Sequence, residues 1–162
     1  MIFKKYSEIE NSYRTKYIDY IFEQGLNFGN DWIVTEKVHG SNFSIVYDGN
    51  NINCAKRSCF LGENANFFNW ESIYDKYYKS VIDMYNLIKK NIPTLEQINI
   101  FGEFYGGIYP HENVKIVPNS SRIQKGVYYC PHNDFIVFDI FIFLRQDTEV
   151  IGKWSKYTDV VN

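Results

Sequence analysis

The sequence predicts an α+β fold of antiparallel sheets with a few helices. Three observations predict it. The turn signal Asp48-Gly49-Asn50-Asn51 separates two segments with the period of a strand. Asn69 to Lys90 repeats apolar residues at helical spacing. Phe135 to Leu144 is apolar except for one carboxylate, as in a strand buried on both faces.

Taken in order, residues 12–24 are predicted as a helix. Tyr13, Tyr17, Tyr20 and Ile21 would share one face, and Gly25 sits where a helix stops. Trp32 to Lys37 is a predicted strand. Phe43, Ile45 and Tyr47 alternate with Ser44, Val46 and Asp48, and Ile52 to Arg57 returns as the hairpin partner. In the long helix Ile73, Tyr77, Val81, Met84, Tyr85 and Ile88 form the apolar stripe. Asn69 would cap its start, Asp75 would pair with Lys79, and Pro93 closes it. Ile98 to Phe104 is a strand running into Gly106-Gly107, and Val127 to Tyr129 a short strand before the last. No repeat, low-complexity linker or boundary divides the chain, so residues 1–162 are expected to form a single domain.

The formal charge of −2 excludes a global field that would gather nucleic acid, so any polyanion contact must be local. Lys4-Lys5 and Lys56-Arg57 are the basic doublets. Cys54, Cys59 and Cys130 are odd in number. With His132 they hold zinc-type donors, but no C-x-x-C pair is present, and reduced thiols are the expectation. Lys4, Lys5, Glu8 and Glu10 interrupt any leader-like apolar run, and Phe135 to Leu144 is too short to cross a bilayer. A soluble, cytoplasmic protein with no membrane partner is expected. The 13 Phe and 14 Tyr, with abundant Ile, Asn and Lys, are residues of A/T-rich codons. They point to an AT-rich virus or organism as the source.

Charged residues sit at three places where charge is costly. In "TEKVHGSNF" the apolar run Trp32-Ile33-Val34 ends in Glu36, Lys37 and His39. A strand-end lysine in a salt bridge is the plain reading. Against it, Glu36 and Lys37 would point to opposite strand faces, and Gly40 allows a tight turn and close backbone approach. In "NIFGEFYGG" Glu103 either faces solvent or is crowded by the backbone that Gly102, Gly106 and Gly107 let near. The spacing is not a dinucleotide fingerprint. Asp139, the lone charge in its strand, needs a cation, a hydrogen-bond network or a metal, and Arg57 or Lys56 is the structural alternative.

Together "EKVHGSNF", "CAKR", "FGEFYGG" and "FIVFDI" occur in the order and spacing of the RNA ligase 2 family, the type found in phage and in trypanosome RNA editing. The opening "FKKYSEIENSY" resembles the start of the same family, and the resemblance runs to about Phe143. It implies a covalent nucleotidyltransferase, a superfamily whose DNA ligases and capping enzymes usually carry K-x-D-G where this chain has Lys37-Val38-His39-Gly40.

In enzymes similar to this one the motif lysine, here Lys37, attacks the α-phosphate of ATP to give lysyl-AMP. The adenylate then passes to an RNA 5′-phosphate, and a 3′-hydroxyl displaces AMP to seal a nicked duplex. The chemistry needs a neutral amine, which a model lysine of pKa about 10.4 seldom offers at pH 7; Mg²⁺ or Mn²⁺ on the phosphates would help supply it. By the same resemblance Glu36 meets the adenine edge, Phe138 stacks on the ring, and Arg57 and Glu103 flank ribose and phosphate. Glu103 also orients metal-bound water with Asp139, His39 and Asn42 lie around the phosphates, and Lys56 is a candidate for the phosphate or RNA end. These groups are expected in one pocket between two antiparallel sheets.

The chain departs from the family late. Neither the E-G-x-V glutamate motif nor the K-x-K lysine pair is present; Lys153 and Lys156 in "GKWSKY" have the wrong spacing. The sequence therefore resembles the N-terminal portion of a nucleotidyltransferase domain. Two readings stay open: an RNA ligase of reduced form, completed by a second polypeptide, or a non-catalytic remnant that binds nucleotide, RNA or a partner protein.

Overall fold

The computed structural model describes residues 1–26, 28–29 and 33–156. It divides into two compact units, Tyr6–Lys37 and a larger one of Met1–Lys5 with Val38–Asn162. The fold is α+β, with two helices and one six-stranded antiparallel sheet among the described residues.

The smaller unit holds helix α1, Thr15–Glu23. The helix is shorter than the predicted 12–24, and of the predicted face only Ile21 is buried. Tyr13 and Tyr20 are 81% and 52% exposed, because one helix of about two turns has room to bury little. Gly25, at φ +63°, ends it. Ile33 to Lys37 is not a strand, contrary to expectation; Trp32 lies outside the described residues.

In the larger unit the strands are β1 (Ser41–Tyr47), β2 (Ile52–Lys56), β3 (Cys59–Phe60), β4 (Leu95–Gly106), β5 (Asn133–Gln146) and β6 (Glu149–Trp154), ordered β3-β2-β1-β4-β5-β6. The predicted hairpin is β1–β2, with Tyr47 opposite Ile52. Asp48 closes its turn by accepting from the Asn50 and Asn51 N–H groups at 3.0 and 2.8 Å, the Asx geometry these residues favour. Helix α2, Trp70–Asn91, buries Ile73, Val81 and Tyr85 of its predicted stripe. Those side chains pack on Phe43, Ile45, Ile98, Ile100, Ile140 and Ile142. Asn69 occupies the N-cap but makes no side-chain cap; its carbonyl accepts from the Ser72 hydroxyl at 2.7 Å instead. Lys79 pairs with Asp83, not Asp75. Val127 to Tyr129 is not a strand. The hairpin partner β6, which pairs with β5 from Phe141–Trp154 to Gln146–Glu149, has no counterpart in the predicted elements.

On the second sheet face the Trp154 ring meets those of Phe101 and Phe141, and the Lys4 ammonium is 4.7 Å from the Phe141 ring. Ile2 and the Gln97 side chain exchange two hydrogen bonds there, at 2.7 and 2.8 Å. No helix among the described residues is long and apolar enough to cross a membrane.

A half-buried carboxylate ties α2 to the start of β5. Asp134 accepts from Lys76 at 2.8 Å, from the Tyr77 hydroxyl at 2.6 Å and from the Phe135 N–H at 2.8 Å. Burial works to raise the Asp134 pKa, but the bonds from Lys76 and Tyr77 outweigh it and hold it below the ordinary carboxylate value. A depressed carboxylate stabilises the fold above its unfolded pKa and loses that contribution as pH falls through the folded one. Asp134→Asn should therefore flatten the acid limb of the stability curve below about pH 4, and Tyr77→Phe should cost about 1–2 kcal/mol at neutral pH. Urea unfolding at several pH values measures both.

Candidate functional site

Three of the motifs meet at one end of the sheet. Gly40 directly precedes β1, and its N–H donates to Glu103 Oε1 at 2.9 Å. A Cβ on Gly40 would lie 2.2 Å from the Phe104 carbonyl oxygen, so only glycine allows this approach. Asn42 then stands opposite Glu103 in the β1–β4 ladder, which puts both on the same face. The backbone proximity expected from Gly102, Gly106 and Gly107 is also present, with Cβ positions 2.4, 2.3 and 1.9 Å from the carbonyl oxygens of Ile136, His132 and Ser121.

Asp139 reaches that face through a β-bulge. Glu103 pairs with Ile136 and Phe101 with Asp139, although only two residues separate the first pair on β4 and three on β5. The extra residue at the irregularity, Phe138, shifts the parity of β5. Phe135 and Val137 before it, and Ile140, Ile142 and Leu144 after it, therefore all join the core against α2. Strict alternation would place Asp139 on the same face as Phe135. Asp139 accepts from the Ile140 N–H at 2.9 Å, and neither Lys56 nor Arg57 forms an ion pair among the described residues. The structural partners considered for it are thus not its partners.

The other candidates fall elsewhere. Lys56 is opposite Phe43, so it sits on the face away from Asn42 and Glu103. Arg57 follows it, exposed, just beyond the strand. Glu36 and Lys37 are exposed residues at the end of the smaller unit, Lys37 being joined through its peptide bond to Val38 of the larger. His39 is exposed, and its backbone N–H donates to the Tyr129 hydroxyl at 2.9 Å. The expected cleft between two sheets is not found, because the described residues form one sheet.

Sequence reasoning missed two groups that hold the turn. Tyr129 takes the His39 N–H, and Gln124 Nε2 donates to the Gly40 carbonyl at 2.6 Å. Both come from the loop between β4 and β5. That loop is closed at its neck by Asn133, whose amide accepts from the Ser121 N–H and donates to the Ser121 carbonyl, each at 2.8 Å. Gly107, at φ +95°, lies so close to Ser121 that a Cβ would be 1.9 Å from its oxygen. Nothing in the local pattern of Gln124 or Tyr129 marks these roles, which arise from contacts over 84 and 90 residues.

The three thiols are free. Burial pushes the Cys54 thiol up to about 12, and Cys59 is exposed. Among the described residues no three His, Cys, Asp or Glu side chains converge as a metal cage.

The turn of the K-x-x-G motif is thus bonded to the glutamate strand of one antiparallel sheet. The sequence pattern of the RNA ligase family matches residues 30–161. The chain belongs to that family. It is 33% identical over 156 residues to the mitochondrial RNA-editing ligase 2 of Trypanosoma brucei brucei, covering 86% of this chain and 36% of the relative. It is 28% identical over 159 residues to the mitochondrial RNA-editing ligase 1 of Trypanosoma brucei brucei, covering 85% and 34%. The chain thus spans about a third of the length of these relatives.

Proposed function

We propose that the chain catalyses ATP-dependent adenylylation of Lys37, the first step in joining a 5′-phosphate to a 3′-hydroxyl in nicked RNA. The observation that carries this reading is the Gly40–Glu103 hydrogen bond, which joins the K-x-x-G turn to the F-G-E strand. It is supported by Tyr129 and Gln124, which pin the same turn on its other sides. Holding the backbone that leads into a nucleophile lowers the entropy cost of reaching a near-attack geometry.

On this reading the neutral Lys37 amine, its proton released to water, forms the N–P bond to the α-phosphorus of ATP. The bond to pyrophosphate breaks and pyrophosphate leaves with the electron pair. Phe138 and Glu36 hold the base by its face and edge, Arg57 and Glu103 the ribose and phosphate, and His39 and Asn42 the phosphates. Asp139 and Glu103 on one sheet face fit a divalent cation that keeps much of its water and binds mainly through substrate phosphates. Magnesium or manganese there would supply charge neutralisation on the phosphates. A cytoplasmic site of action goes with this reading.

Incubation with radiolabelled ATP and Mg²⁺ or Mn²⁺ tests the proposal. Covalent AMP on the chain supports it. Absence of any adduct at high metal and long incubation overturns it for the chain alone.

A further inference from the structure

We propose that the loop between β4 and β5, residues 107–132, is a docking site for single-stranded RNA, with a pocket for one base and its phosphate. The choice of RNA rests on the proposed function above; the site rests on the loop. Ile108, Tyr109, Ile116, Val117, Arg122 and Pro131 line a pocket of about 370 Å³. Its apolar side chains are unusually open, with Ile116 92% exposed and Tyr109 40% exposed. An exposed aromatic ring and an exposed guanidinium in one concavity match the two parts of a nucleotide. The ring stacks on any base, and the planar donor fork pairs with phosphate.

Charge favours a polyanion over an apolar partner. The loop carries Lys115, Arg122 and Lys125 against the single carboxylate of Glu112, in a chain whose formal charge is −2. The field that the whole molecule lacks is therefore present locally. The loop is also held in shape before any ligand arrives. Asn133 clamps Ser121, Ile123 is 8% exposed, and the Tyr129 ring meets Tyr105 edge to face at 5.6 Å. The same loop grips the Val38–Gly40 turn through Gln124 and Tyr129, so RNA seated at Arg122 is two residues along the chain from a group bonded to Gly40.

Anisotropy titration of a labelled single-stranded RNA 12-mer against the full chain at about 50 and 200 mM salt tests this. Weak, salt-sensitive binding is expected of the unsubstituted chain. Arg122→Ala should weaken it about tenfold at low salt and reduce the slope of log affinity against log salt by about 0.7, the value for one lost single-strand phosphate contact. Tyr109→Ala should weaken it about tenfold with the slope unchanged. Lys90→Ala, on the exposed end of α2, should change nothing, and matching circular dichroism melts would show that each variant folds. Excess ATP should not displace the RNA. Unchanged affinity and slope in Arg122→Ala overturn the site, as does failure of the unsubstituted chain to bind RNA at low salt. Displacement by ATP would make the pocket a mononucleotide site, and a protein captured in place of RNA would make it a protein-docking face; either result overturns the proposal. Lys37→Ala should bind RNA as the unsubstituted chain does, so loss of AMP labelling and loss of RNA binding are separable failures.

Discussion

Lys37→Ala incubated with radiolabelled ATP and metal acquires no covalent AMP, whereas the unsubstituted chain acquires it slowly. No other lysine lies in the K-x-x-G motif, so removal of its amine removes the bond-forming atom itself rather than a supporting contact. The expected loss is at least about a thousandfold, limited by detection. Labelling is expected to be slow in residues 1–162 taken alone, which do not include the E-G-x-V and K-x-K patterns, since removal of one preorganised donor typically costs about 10²–10³ in rate. Lys153 does not substitute for them. On β6 it stands opposite Ile142, on the sheet face away from Glu103, so Lys153→Ala should label like the unsubstituted chain. Little strand sealing is expected. If no label forms, addition of a polypeptide carrying the missing motifs decides between a split ligase, where labelling returns, and a non-catalytic remnant, where it does not.

Gly40→Ala should lower the melting temperature by about 10 °C and reduce labelling about a hundredfold. Its new methyl group would meet the Phe104 carbonyl oxygen at 2.2 Å and the Glu103 side chain at 3.0 Å. The first contact is with backbone of an inner strand, paired on both sides, which cannot swing aside. Overpacking of this kind costs about 1–3 kcal/mol, and the bonds to Glu103 and Gln124 would add about 1 kcal/mol each if broken. About 3 kcal/mol corresponds to about 10 °C in a chain of this length. The larger loss in labelling follows because displacement of the turn by about 1 Å misplaces the lysine three residues before it. Gly62→Ala is the control: nothing lies within 4 Å of its Cβ position, and it should melt at or above the unsubstituted chain. Equal melting of Gly40→Ala and the unsubstituted chain would contradict the close approach.

Much of the fold was legible in local pattern. The β1–β2 hairpin follows from alternation on either side of an Asx turn, and α2 follows from a stripe long enough to outvote its polar residues. The segments that failed are short. Ile33 to Lys37 and Val127 to Tyr129 have strand-like residues but no neighbour in the ladder, and a strand exists only through its partner. The β6 segment is the converse. No element is predicted over Glu149 to Trp154, yet Asp147 at φ +52° turns the chain back and the long β5 templates it.

Sequence by itself determined the family and the α+β class, because both depend on residue type and near-neighbour spacing. Tertiary structure alone decided which motif residues share a surface. The Phe138 bulge turns Asp139 onto the face of Glu103 and Asn42, and the register turns Lys56 away from it. The grip of Gln124 and Tyr129 on the Gly40 turn is likewise tertiary, since hydrogen bonds across more than 80 residues leave no periodic trace in the chain. Period and propensity act over a few residues, whereas register and bulges are set by the competition of whole strands for one core.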